Sequence, residues 1–211
     1  MTADDKRASE ARLVGGALCL DLINTVGWRM REQLGDWERL RGYDDLLEWS
    51  QHAGALGRAD CRHLRRLAKQ HPDQAEAALI RARRLREASY RILLRLAEEE
   101  AAAAEDLAVV NAELAEAPPR RSLVKSGERI QWNAPIGSDR LDALLAPLAW
   151  SAADLLASHR VGRVKQCSGE GCGWLFLDES RNGSRRWCAM DMCGNRAKAK
   201  RHYERHRRGP D

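Results

Sequence analysis

The sequence predicts a mainly α-helical domain with one small β-hairpin (an α+β unit), followed by a small cysteine-rich module. Three observations predict it. Apolar residues recur at helical spacing through most of residues 15–155. Two β-prone runs, Leu123-Val124 and Ile130–Trp132, flank a Ser126-Gly127 turn signal. Four of the six cysteines crowd the C-terminal end as Cys167, Cys172, Cys188 and Cys193, in the pattern C-x4-C-x15-C-x4-C. These features divide the chain into a domain over 13–160 and a module over 161–211.

The first dozen residues read as a mobile tail. After Gly15-Gly16, Leu18, Leu22 and Val26 recur every four residues and predict a buried helix. Residues 43–53 predict a short helix stopped by Gly54. A third runs from Asp60, taken as its N-cap, to about Gln70, and His71-Pro72 breaks it. The longest helix spans about 72–100. Leu79, Ala82, Leu85, Ser89, Ile92, Leu93 and Leu96 face inward, and Glu87 with Arg91 and Arg95 with Glu99 pair on a solvated face. A helix over 104–116 ends at Pro118-Pro119. The hairpin over 121–133 follows. A helix from Ser138 then buries Leu141, Leu144, Leu145, Leu148, Ala152 and Leu155, with a kink expected at Pro147.

Two close thiol pairs joined by a short connector mark a structural zinc site. Four thiolates fill a zinc tetrahedron and leave no position for a catalytic water, so one structural Zn2+ held by Cys167, Cys172, Cys188 and Cys193 is expected. Val161–Val164 and Trp174–Leu177 are β-prone and enclose the first pair. Residues 194–208 read as a helix just after the last cysteine. A metal knuckle in a hairpin, followed by a helix bearing the last ligand, describes a treble-clef finger. So small a module buries little core, and the metal should supply its folding energy. Cys19 and Cys61 lie far from the cluster and read as small buried hydrophobes.

The net charge of +5 is unevenly distributed. Residues 160–211 hold thirteen Lys or Arg against six Asp or Glu, whereas 1–159 hold twenty-three against twenty-five. A positive field confined to one end suits an acidic partner. The candidate nucleic-acid contacts are Arg181, Arg185, Arg186, Arg196, Lys198, Lys200, Arg201 and Arg205, and only Ala197, Ala199 and Tyr203 are left to pack the last helix inward. That helix suits a DNA major groove. Competing uses of the same cations are neutralisation of the zinc–thiolate cluster and of the helix dipole. The other open readings are an RNA-binding protein, a protein-interaction module and, more remotely, a nuclease.

No apolar run is long enough to span a membrane, and the N-terminus lacks the apolar stretch of an export signal. A cytoplasmic protein with reduced thiols is therefore expected. There is no nucleophile elbow, phosphate loop, paired-carboxylate motif or histidine-rich site, so no enzyme is expected. His202 and His206 are spaced i, i+4, a spacing that binds metal, without an evident third ligand. Asp21, Asn24 and Thr25 are polar positions in an apolar segment and require hydrogen-bond partners. They form either a polar knot fixing the first helix against the 123–132 hairpin or, with Trp28 and Arg29, a small-molecule effector pocket.

The run D-x-S-R-N-x-x-R-R-W-C-x-M-x-x-C-G-N-R-x-K over Asp178–Lys198 resembles the CGNR zinc-finger family, named for Cys193-Gly194-Asn195-Arg196. Gly16-x-x-x-Leu20-Asp21-Leu22-x-Asn24-Thr25 is similar to the opening of the ABATE domain that precedes this finger. The resemblance implies a bacterial, cytoplasmic, stress-induced transcription regulator. It also implies an α-rich N-terminal domain and a treble-clef finger. Within the run, Gly194 suits a tight turn, Asn195 a helix cap, Arg196 a phosphate or thiolate contact, and Trp187 a cover over the zinc. The combined expectation is a DNA-binding regulator on double-stranded DNA. Its N-terminal domain senses an effector or forms a homodimer.

Overall fold

The computed structural model describes residues 7–30, 37–120, 122–132 and 139–207. Seven α-helices and four strands occur among them: α1 (Leu18–Ile23), α2 (Tyr43–His52), α3 (Arg58–Gln70), α4 (Pro72–Ala97), α5 (Ala104–Glu116), β1 (Leu123–Ser126), β2 (Arg129–Trp132), α6 (Leu145–Leu156), β3 (Val164–Gln166), β4 (Leu175–Leu177) and α7 (Asn195–Arg207). The strands form two separate antiparallel hairpins, β1–β2 and β3–β4. The expected α+β architecture with a C-terminal finger is therefore what the chain adopts.

Helix α4 is the central post. Its inward face carries Ala78, Leu79, Ala82, Leu85, Ile92 and Leu93, all buried at helical spacing. Pro72 occupies the first turn of α4, where its missing N–H removes no intrahelical bond. Helices α1, α5 and α6 pack against this post, and Leu20, Ile23, Val110, Leu148 and Ala152 close the core around it.

Several local expectations are corrected. Residues 8–10 form a 3-10 turn rather than tail, and Ala8 and Ala11 are buried in the core beside α2. Helix α1 is six residues long and ends before the polar residues Asn24 and Thr25: the Asn24 side chain turns to strand β4, and the Thr25 hydroxyl caps the Leu22 carbonyl of the last turn. Helix α3 starts earlier than expected, with Gly57 at the N-cap and Asp60 within the first turn. The β1–β2 register places the turn at Gly127-Glu128, one residue later than the Ser126-Gly127 signal. Leu141 and Leu144 are buried in the turns that precede α6 rather than within it. Pro147 falls in the first turn of α6, where no kink is required. Ser138, the expected start of that helix, lies outside the described residues.

The arginines of α4 divide: Arg84, Arg91 and Arg95 are exposed, whereas Arg81 and Arg83 are half-buried and Arg86 is buried. Arg81 bridges Glu113 and Asp142 at 2.8 and 2.6 Å, Arg83 donates to the Leu40 carbonyl, and Arg91 holds Asp106. Arg86 is buried and pairs with Glu38 at 2.6 Å and Glu87 at 2.7 Å. Glu87 thus meets Arg29 and Arg86 rather than Arg91, and Arg95 meets Glu100 rather than Glu99. Burial alone raises the pKa of Glu87, yet Arg29 and Arg86 hold it below the usual carboxylate range. A charge held this way inside a helical unit fixes geometry more than it stabilises.

The finger is sewn into this core. Strand β4 is buried on both faces, and its alternation divides it. Leu175 and Leu177 enter the main core, while Trp174 and Phe176 pack against the cysteines. Burying each of Leu175, Phe176 and Leu177 contributes roughly 2 kcal/mol, so the strand ties both regions into one folding unit.

Candidate metal centre and basic helix

The β3–β4 hairpin pairs Val164 with Leu177 and Gln166 with Leu175 and carries Cys167 and Cys172 in its connection. Cys188 follows the connector. Cys193 lies in a single π-helical turn, Met190–Gly194, that leads directly into α7. All four cysteines are buried, and their sulfurs lie within 4.8 Å of one another. Cys188 Sγ stands 3.6 Å from Cys193 Sγ and 3.9 Å from Cys172 Sγ. A zinc tetrahedron with Zn–S of about 2.3 Å has S···S edges of about 3.8 Å, so the cluster fits one structural zinc ion.

Its surroundings suit thiolates. The backbone N–H groups of Gly169 and Cys188 donate to Cys167 Sγ at 3.4 and 3.2 Å. Arg196 Nη2 donates to Cys193 Sγ at 2.9 Å. A Cβ on Gly169 would stand 2.7 Å from Cys193 Sγ and 3.3 Å from Cys167 Sγ. The position therefore requires glycine to leave room for the sulfurs. At Gly194 a Cβ would meet only the exposed Met190 side chain, which is free to shift.

The expected polar knot exists, with a different partner. Asn24 joins α1 to strand β4 of the finger, not to the 123–132 hairpin. Its Nδ2 donates to the Leu175 carbonyl at 2.9 Å, and Leu175 N–H donates back to Oδ1 at 3.1 Å. The carboxamide acts as one extra rung beside a buried strand. Thr25 donates to the Leu22 carbonyl and accepts from Arg86. Asp21 accepts from Gly15 N–H at 2.8 Å. Burial pushes its pKa up to about 6, against the opposing pull of the Gly15 and Val14 N–H groups and His52.

Trp28 and Arg29 continue the seam. Arg29 N–H donates to the Cys172 carbonyl at 3.0 Å. Its side chain pairs with Glu87 and stacks 4.2 Å from the Tyr90 ring. Trp28 has a positive φ of 51° and receives Arg196 over its ring at 4.3 Å. Trp174 Nε1 donates to the Val26 carbonyl at 2.7 Å, and Leu177 N–H to the Gly15 carbonyl at 2.8 Å.

The eight basic candidates separate by environment. Arg185 turns inward: it donates to the carbonyls of Val14, Leu177, Trp187 and Cys188 and stacks 4.3 Å from Phe176. Arg196 covers Cys193 and Trp28. Arg186 is exposed over Trp187, which is half-buried against the cysteine cluster. Arg181, Lys198, Lys200, Arg201 and Arg205 are exposed, with Lys200 reaching Glu170 at 2.7 Å. Helix α7 buries no side chain at all, and Tyr203 is 66% exposed rather than packed inward.

Sequence reasoning missed Asp178, which is 1% exposed. It accepts from Lys165 Nζ, the Ser180 hydroxyl and the N–H groups of Ser180 and Arg185, and so closes the connector loop. Lys165 first, then Ser180, hold its carboxyl well below the usual range. The signal was present: Asp178 opens the motif run, three residues after the buried strand begins.

No helix among the described residues is long and apolar enough to cross a membrane. Among curated proteins the chain has no significant match. The CGNR zinc-finger family model matches residues 163–206. Residues 16–159 match the family ABATE, described as "Putative stress-induced transcription regulator". With most of its length under that match and the four-thiol cluster under the other, this chain belongs to the ABATE family and ends in a CGNR zinc finger.

Proposed function

We propose that this chain is a DNA-binding transcription regulator in which a treble-clef finger presents α7 to duplex DNA. In this reading Cys167, Cys172, Cys188 and Cys193 ligate the zinc. The finger spans 161–211, and the domain over 13–160 serves for sensing or dimerisation in a bacterial cytoplasm. One observation carries the reading: α7 is a helix with an exposed basic surface and no buried side chain. A helix that packs so little of itself is available to an external partner. Phosphates supply the missing contacts, and base edges supply selectivity.

The contact set narrows to Arg181, Arg186, Lys198, Lys200, Arg201 and Arg205, because Arg185 and Arg196 are occupied within the fold. Beside α7 runs a 790 Å³ groove whose walls include Arg186, Trp187, Lys200 and Arg201. For the sensing role, a 690 Å³ cleft between the β1–β2 hairpin and α6 offers Trp132, Trp150, Arg120 and Asp60. That cleft replaces Trp28 and Arg29 as the effector candidate, since both of those residues serve the seam with the finger.

The test is equilibrium binding of the zinc-loaded protein to duplex DNA, hairpin RNA and single strands over a range of salt. About six phosphate contacts give a log–log salt slope near −5 on DNA. The triple variant Lys198→Glu, Lys200→Glu, Arg201→Glu loses binding by at least a hundredfold while keeping its zinc. Unchanged binding by the folded triple variant, or a flat salt response, refutes the reading. Tighter binding to RNA replaces it with the RNA alternative.

A further inference from the structure

A second set of metal-capable side chains stands apart from the thiol cluster, on the solvent side of α7. His202 and His206 occupy i and i+4 of one helix face, and their Nε2 atoms lie 3.1 Å apart. The ring centroids are 4.3 Å apart, and both residues are exposed. Two imidazole nitrogens at about 2.0–2.1 Å from one ion lie roughly 2.9 Å apart at a right angle and roughly 3.4 Å apart on a tetrahedron. The observed separation falls between those two limits. The two exposed rings share an N–H···N hydrogen bond, which gains little over bonds to water and yields readily to an ion.

We propose that His202 and His206 form a second metal site, separate from the finger's structural zinc. It takes a borderline divalent ion such as Zn2+ and completes the coordination sphere with water. Imidazole is the fitting ligand for such ions, and its i, i+4 placement on a helix is the spacing that brings two rings to one ion. Lys198, Arg201, Arg205 and Arg207 flank the pair on the same helix, with Glu204 as the opposing charge. Their repulsion and the two-ligand count make this ion exchangeable, unlike one held by four thiolates.

The consequence is mechanical. Helix α7 has thirteen residues and no buried side chain. A helix of about that length is marginal when nothing packs on it. An ion bridging 202 and 206 closes one turn and holds the outer half of α7 in helical form. It also adds positive charge to the basic surface and keeps water-filled positions open to a phosphate oxygen.

The experiment uses the full chain already loaded with one zinc, dialysed against increasing Zn2+, with bound metal and amide exchange both measured. The expected result is a second equivalent that a mild chelator removes while the first stays. Amide exchange across 198–207 slows at least fivefold when it binds. His202→Ala and His206→Ala each abolish the second equivalent and the slowing, and His159→Ala, at another exposed histidine, leaves both intact. Both α7 histidines are exposed, so the variants keep the fold and the first zinc. A wild-type protein that takes only one equivalent overturns the proposal, as does a second equivalent that survives both substitutions. Binding without slower exchange refutes the helix-holding role.

Discussion

The carboxamide of Asn24 makes two hydrogen bonds, of 2.9 and 3.1 Å, to the backbone carbonyl and N–H of Leu175, 151 residues away. Both partners are buried, so no water substitutes when the side chain is lost. Asn24→Ala leaves one donor and one acceptor unsatisfied and should destabilise the protein by about 3 kcal/mol. Denaturant titration measures this. Asn24→Asp keeps the acceptor but sets a carboxylate oxygen against the buried Leu175 carbonyl, so it should not recover the loss at neutral pH.

The same seam predicts how metal removal spreads. Strand β4 contributes Leu175 and Leu177 to the main core, so a loosened finger uncovers that core. Cys167→Ser, or chelation of the zinc, should lower the thermal midpoint of the whole chain in a single transition and expose apolar surface to a fluorescent dye. A finger that melts alone, with the helical part unchanged, contradicts this coupling.

Arg196 touches Cys193 Sγ and lies over Trp28, so its first duty is to the cluster. Arg196→Ala should speed zinc release to a chelator by at least tenfold and shift Trp28 emission. Arg201→Ala, on an exposed part of the same helix, should leave zinc release unchanged. Comparing release rates separates a cluster-neutralising arginine from a surface one.

Asp21 carries the clearest pH signature. Its folded pKa of about 6 lies above the ordinary carboxylate value of 3.8. The folded state therefore holds the proton more tightly than the unfolded state. That contribution is present below about pH 4 and is lost as pH rises towards 6, on the order of 2 kcal/mol. Asp21→Asn removes this dependence. The stability difference between wild type and variant, measured by urea unfolding at pH 4.5 and pH 7, should shift in favour of the variant at the higher pH.

Arg86 is buried between Glu38 and Glu87. Arg86→Met strips Glu38 of its cation and leaves Glu87 with Arg29 alone, and should cost roughly 3–5 kcal/mol. Adding Glu38→Gln should return part of that loss, which a double-mutant cycle resolves.

Much of this was legible from residues. The i, i+4 apolar rows of α4 and the Gly, Pro and His-Pro breaks locate the long helices because local rules and burial agree there. The C-x4-C-x15-C-x4-C spacing located the metal cluster because thiolate chemistry leaves few other uses for it. Long-range partners were not legible. Asn24 declared a need for hydrogen bonds but not their address, and the nearest hairpin in sequence was the wrong one. Charge signs likewise gave no warning that Arg86 and Arg185 would be drawn inside. An arginine flanked by acids on one helix reads as surface until another element delivers the carboxylate. The mobile-tail reading of 8–11 failed for a related reason: two alanines in a charged stretch carry too little periodicity to reveal a core face.

A strand with both sides committed has no spare side on which to vary. Grafting a foreign finger near residue 163 would bring unmatched side chains against the helical bundle and break at the junction, so this finger is not an exchangeable cassette. Diversification of the chain's outward chemistry then falls to α7 beyond Arg196, whose exposed side chains can drift without disturbing the rest.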